Sequence, residues 1–175
     1  MVFYNNVAYF FQTMSSKNII SNAVALFSTG LLAGTFFYVR FNIMPTFWEV
    51  PMDVHLRFRF VLMKYNDIVF KSLIMVSIIS STWFAWRIRS LKYIFIFTCF
   101  AVLLAIFTFL ITYFGNMPIS SQIKTWLQTS PPKNWITILK TWDFYHTCRT
   151  STAIGSFILL LLATFFKNQL LKKQT

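Results

Sequence analysis

Four stretches of this chain carry no Asp, Glu, Lys or Arg: residues 18–39, 72–86, 93–123 and 150–166. The hydrocarbon of a bilayer holds no water, so a segment that crosses it must satisfy its own backbone as a helix or pair within a closed barrel. Barrel strands alternate apolar and polar residues, and none of these stretches does so. About 20 apolar residues suffice for a spanning helix. The pattern predicts an all-α fold, an integral membrane four-helix bundle, with spans near 19–41, 68–86, 93–114 and 148–167 in one domain over 1–175. Composition agrees: 11% of the residues are charged and 22 are Phe, against a charged share of about 25% in soluble domains.

The net charge of +12 would suggest nucleic acid in a soluble protein. Here the basic residues lie scattered between the spans, without a dense stripe or an interleaved aromatic motif, so no nucleic-acid partner is expected. The lipid bilayer is the partner that composition names. Arg87, Arg89 and Lys92 form a short basic turn behind Trp83 and Trp86, an interfacial anchor pair. With Lys17 and the basic tail at 167–173, this turn predicts a multi-pass protein with both termini in the cytoplasm. Both histidines, all four acids (Glu49, Asp53, Asp67, Asp143) and all five prolines fall on the opposite face. Residues 1–17 are aromatic and polar, lack the cationic start of a signal peptide and read as an interfacial lead-in.

Several chemistries are absent from the pattern. Cys99 and Cys148 form no CxxC pair and fall at different depths. No span carries an ionisable residue near its middle, as an ion pathway would. Gly-rich phosphate cradles, paired-carboxylate sites and nucleophile elbows are missing. Gly30 and Gly34 form a small-xxx-small pair that suits close helix packing within the chain, with an oligomer contact as the alternative.

The connections carry the breakers. Pro45 is expected to end the first span, and Pro51 to prevent simple helical continuation. Residues 55–64 read as a partly amphipathic helix leading into the second span. The third span is expected to stop at Gly115-Asn116-Met117-Pro118, and Pro131-Pro132 precedes the final helix.

That final stretch, 134–166, organises the rest. It passes from a polar, tryptophan-rich segment into an uncharged span without a break. Trp142, His146 and Arg149 recur at i, i+4 and i+7, so they share one helical face at the mouth of the bilayer. Asp143 lies three residues before His146, placed to orient the imidazole, while Arg149 is placed to hold an anion. A histidine at such a half-dry site suits general-base work. The same residue types also serve as plain interfacial anchors, so spacing alone leaves both readings open. Asn116 reads equally as a helix cap and as an amide meeting that mouth. A metal set of His55, His146, Glu49 and Asp53 is an alternative of the two-histidine, carboxylate kind. No HxxxH or ExxH spacing supports it, and neither a metal nor another cofactor is expected.

Two motifs are more specific. Asn116-Met117-Pro118-Ile119 and Trp142-xxx-His146-xx-Arg149-Thr150 resemble the anthrone oxygenase family, small four-helix membrane proteins. Residues 30–37 and Tyr65-Asn66 are weaker echoes, and the likeness runs over roughly 28–166. Where the family pattern reads Asn-x-Pro-x-Asn, Ser120 stands at the second Asn. The resemblance implies oxidation of an anthrone to an anthraquinone by molecular oxygen, without a tightly held cofactor. It implies His146 as base, Arg149 and Asn116 as oxyanion stabilisers, and Trp142 and Trp135 as stacking surfaces for a lipophilic aromatic substrate. The competing reading is a non-enzymatic membrane protein that holds a small lipophilic ligand or a partner protein.

Overall fold

The computed structural model describes residues 16–126 and 129–172, so most of the lead-in expected over 1–17 lies outside the described residues. Helix α1 spans Ser16–Tyr38 and passes through a π-helical turn, Val39–Ile43, into the short α2, Met44–Trp48. Helix α3 covers Met52–Arg87. Helix α4, Lys92–Leu110, passes through a second π-helical turn, Ile111–Asn116, into α5, Met117–Trp126. The last helix, α6, runs without interruption over Trp135–Lys172. No strand occurs among the described residues.

Four of these helical runs are long and apolar enough to cross a membrane: Ile19–Trp48, Met52–Arg87, Lys92–Trp126 and Trp135–Leu170. They close a ring in which α1 packs on α3 and α6, and α4 packs on α6 and α3. The bundle is apolar outside and small or polar inside. Phe27, Ile68, Tyr93 and Phe114 are exposed, whereas Ser28, Ser77, Ser80, Ser81 and Thr98 are buried. Lipid is as apolar as leucine, so such helices associate through close packing of small residues and through hydrogen bonds. Ser28 and Ser80 approach to 3.1 Å between α1 and α3, and the Ser156 hydroxyl donates to the Ala101 carbonyl at 2.8 Å between α6 and α4.

Each helix outruns its expected span, and the two proline stops give way. Pro45 and Pro118 do not end their helices; each is the second residue of the helix that follows a π turn. A proline lacks an N–H and is tolerated in a first turn, where that N–H has no helical partner. The π turn resets the hydrogen-bond ladder just ahead of it. The same Met-Pro pair thus marks both places, and the real break after α1 comes between α2 and α3. The amphipathic lead-in over 55–64 is one helix with the second span, because its polar residues His55 and Arg59 turn inward and are buried.

Gly30 bears out close packing within the chain. A Cβ there would lie 2.9 Å from the Phe157 ring of α6. Gly34 faces open space, so the two glycines do not share one packing seam. Gly115 is the tightest position, since a Cβ would lie 2.6 Å from the Tyr145 ring.

Candidate functional site

Both π turns end at one cavity. Val39 and Ile43 line it from the first, Thr112 and Asn116 from the second. Helix α3 adds Arg59, Asp67, Lys71 and a set of apolar residues, α5 adds Ser120 and Lys124, and α6 adds Trp142 and Arg149. The cavity holds about 230 Å³, more than the roughly 150 Å³ that admits a benzene in a packed core. Its wall carries four cations, Arg59, Lys71, Lys124 and Arg149, against a single carboxylate, Asp67. Asp67 accepts a 2.9 Å bond from Lys71 one turn on, and both side chains are solvated.

Arg149 is 5% exposed and enters the cavity wall from the middle of α6. Its Nε donates to His146 Nδ1 at 2.9 Å, and the Phe36 and Trp142 rings lie 4.5 and 5.5 Å from its guanidinium carbon. The two Nη groups make no hydrogen bond among the described residues. A buried guanidinium with unspent donors is a built receptor for an anionic oxygen.

His146 stands behind this wall. It is fully buried, stacked on Trp142 with centroids 5.3 Å apart and rings 8° from parallel, and edge-on to Phe36 at 5.6 Å. Because Nδ1 accepts from Arg149, the neutral ring carries its proton on Nε2. That nitrogen is buried without a hydrogen bond of standard geometry, beside the Phe36 backbone. The imidazole therefore positions Arg149 and has no lone pair turned to the cavity.

Asn116 is held by its amide nitrogen, which donates to the Trp142 carbonyl at 3.0 Å. Its Oδ1 is buried without a partner. The amide acts across helices rather than as a cap, because the chain continues helically into α5. Ser120 is more than a missing asparagine: its hydroxyl accepts from Trp142 Nε1 at 2.9 Å and so fixes the indole.

The other expected residues lie off the wall. Asp143 does not meet His146; it accepts from Arg59 Nη2 at 3.1 Å and from Trp48 Nε1 at 2.9 Å. Trp135 packs edge-on to His55 at 6.3 Å, near the Leu56, Ile123, Trp126 and Leu139 cluster. His55 accepts from Arg59 Nε at 3.3 Å and stacks on Phe47. The alternative metal set does not assemble: each histidine is committed to an arginine, Glu49 and Asp53 are exposed, and no group of three His, Cys, Asp or Glu occurs among the described residues. Cys99 and Cys148 are free thiols.

Arg59, Asp67, Lys71 and Lys124 were not singled out by the motifs. For Arg59 a signal existed, since His55-xxx-Arg59 sets a histidine about one helical turn before an arginine, as His146-xx-Arg149 does at i+3 on another helix.

Comparison with protein families matches residues 59–159 to the anthrone oxygenase model. Comparison with curated proteins and with solved structures gave no match.

Proposed function

The chain belongs to the anthrone oxygenase family, and from that premise we propose that it is a cofactor-independent oxygenase acting on a planar, lipophilic carbon acid of the anthrone type. The observation that carries the reading is the buried Arg149 guanidinium on the cavity wall, fixed through Nε by His146 and with its Nη donors unspent. An anthrone loses a proton from carbon to give an enolate, whose charge sits on oxygen. Arg149 receives that oxygen, and Trp142, held by Ser120 and stacked on His146, flanks the guanidinium. Preorganised charge of this kind acts most strongly where water is scarce.

The proton goes to Asp67, the carboxylate on the cavity wall among the described residues. The carbanionic carbon then adds molecular oxygen, and the proton returns to give a hydroperoxide. Loss of the second proton from that carbon, with cleavage of the O–O bond, leaves the quinone carbonyl and releases water. Substrate carbon supplies all the electrons, so one O2 is consumed per quinone and one water is formed.

The arrangement suits a substrate that arrives from the bilayer, because Val39, Ile43, Leu62, Met63 and Phe70 make much of the wall. We place both termini and the Arg87–Lys92 turn in the cytoplasm, with the cavity toward the opposite face. A second reading, a binding protein without turnover, is favoured by the enclosure of His146 away from the cavity. Oxygen uptake with a model anthrone separates the two. Wild-type protein in lipid nanodiscs consumes oxygen in step with quinone absorbance, and Arg149→Ala does not. Wild-type protein that binds the anthrone without consuming oxygen would establish the second reading instead.

A further inference from the structure

The charges of this chain are sorted by end. All four side-chain carboxylates stand toward the cavity: Asp67 on its wall, Asp143 on Arg59 and Trp48, Glu49 in the α2–α3 connection and Asp53 in the first turn of α3. At the opposite end each long helix brings a cation: Lys17 in the first turn of α1, Arg87 at the end of α3, Lys92 at the start of α4 and Lys167 near the end of α6. Trp83, Trp86 and Tyr93 are exposed there, and the Arg89 guanidinium carbon lies 5.6 Å from the Trp86 ring. Exposed tryptophan and tyrosine settle at the headgroup layer, which places this end within it.

Lys167 differs from the other cations. Phe165 and Phe166 before it face outward, whereas Lys167 continues the inner face of Leu160 and Ala163 and is 4% exposed. It lies about five turns, roughly 27 Å, along α6 from Arg149, so the core face of that helix carries a cation toward each side of a bilayer about 30 Å thick. A lysine that snorkels runs outward along lipid to water. This one turns in, and its ammonium lies 5.5 Å from the buried Phe84 ring of α3. Lysine is almost never enclosed unless paired, and a ring face returns only part of what an ammonium loses on leaving water. No carboxylate pairs with Lys167 among the described residues. A second donor stands close by. Asn22 of α1 is bonded at 2.8 Å to Thr164, one turn before Lys167, its one hydrogen bond among the described residues. An amide has two N–H donors, so at least one of this half-buried group is left over.

We propose that Lys167 and Asn22 form a site for the phosphate of an anionic phospholipid, with Trp83 and Trp86 setting the depth at which the headgroup meets it. The headgroup layer supplies that phosphate at high local density, and basic helix ends select the leaflet richer in negative lipid. The flexible four-carbon stem lets the ammonium turn from Phe84 to the headgroup while α6 stays in place. The site is separate from the cavity and needs neither its ligand nor any turnover.

The test compares the full chain in nanodiscs of phosphatidylcholine with nanodiscs in which part of that lipid is replaced by phosphatidylglycerol. Thermal unfolding is followed by tryptophan emission. Wild type melts about 3 °C or more higher in the anionic discs, as expected for a bound ligand. Lys167→Met loses that gain, and Asn22→Leu loses part of it. In phosphatidylcholine Lys167→Met melts no lower than wild type, because an apolar chain of like length replaces an unpaired ammonium. Arg89→Gln, which removes an exposed charge from the same end, keeps the gain. Equal melting of wild type in the two discs would overturn the site, and that result needs no variant to fold. So would a gain that survives in Lys167→Met, or one lost equally in Arg89→Gln, which would reduce it to diffuse attraction between a basic end and a negative surface. Lys167→Met melting well below wild type in phosphatidylcholine would show an ammonium already paired within the chain, and would overturn it too. The same rise in phosphatidylcholine discs with added inorganic phosphate would overturn the assignment to lipid. None of these readouts involves oxygen uptake, so the oxygenase reading stands or falls separately.

Discussion

His146 is the residue at which a base and a positioning group make opposite demands, and glutamine tells them apart. The side-chain oxygen of His146→Gln can still accept the Arg149 Nε–H that now goes to Nδ1 at 2.9 Å. It cannot take a proton from substrate. If His146 holds Arg149 in place, His146→Gln keeps turnover within about tenfold of wild type. His146→Phe is the complement: it retains a ring against Trp142 and Phe36 but removes the acceptor. A buried guanidinium N–H then lacks a partner, at a cost of about 1.5–3 kcal/mol. Expressed in the transition state, that range lowers kcat/KM by about ten- to 150-fold, since 1.36 kcal/mol is a factor of ten. The assay is oxygen uptake with a model anthrone in nanodiscs, alongside thermal unfolding followed by tryptophan emission. His146→Gln falling to background while it melts like wild type would refute the positioning role and restore the ring as base. His146→Phe with unaltered melting and turnover would remove any function for the Arg149 bond.

Four further outcomes follow from the geometry. Asp67→Asn abolishes oxygen uptake but leaves anthraquinone binding, read by tryptophan quenching, within about threefold; retained turnover would place the proton acceptor elsewhere. Gly115→Ala forces a Cβ to within 2.6 Å of the Tyr145 ring and costs about 1–3 kcal/mol as overpacking, measured as a lower melting temperature; Gly34→Ala, which meets nothing inside its helix, does not lower it. Ser120→Ala strips Trp142 Nε1 of its acceptor and weakens anthraquinone binding and stability by about 1–3 kcal/mol, whereas Ser120→Asn, an amide acceptor, restores both. A cytoplasmic reporter enzyme fused after Thr175 is active, and the same reporter inserted in the α2–α3 connection is not; the reverse would invert the topology.

Much of this is legible in the sequence. The uncharged runs announced four helices because lipid admits few alternatives, and the i, i+4, i+7 spacing put Trp142, His146 and Arg149 on one face. What spacing leaves undetermined is the direction of that face relative to the empty space. Trp142 and Arg149 reach the cavity, while His146, between them in sequence, is enclosed behind them. Asp143 looked like a partner for His146 because they are one turn apart, yet it reaches across to Arg59 on α3. Long-range pairs of that sort depend on how helices are arranged, and local periodicity carries no record of it. Proline was misleading for a different reason. Helix-breaking rules assume an unbroken i→i+4 ladder, and a preceding π turn suspends that assumption at Pro45 and Pro118.

Those two wider turns also mean that the site is set by counting as much as by chemistry. Each accommodates a surplus residue, and removing one from 111–116 would let the ladder heal. Pro118 would then fall inside an ordinary helix, where its missing N–H and its ring cost about 3 kcal/mol or more. A single-codon deletion here, with every motif residue kept, is thus predicted to be more damaging than many substitutions.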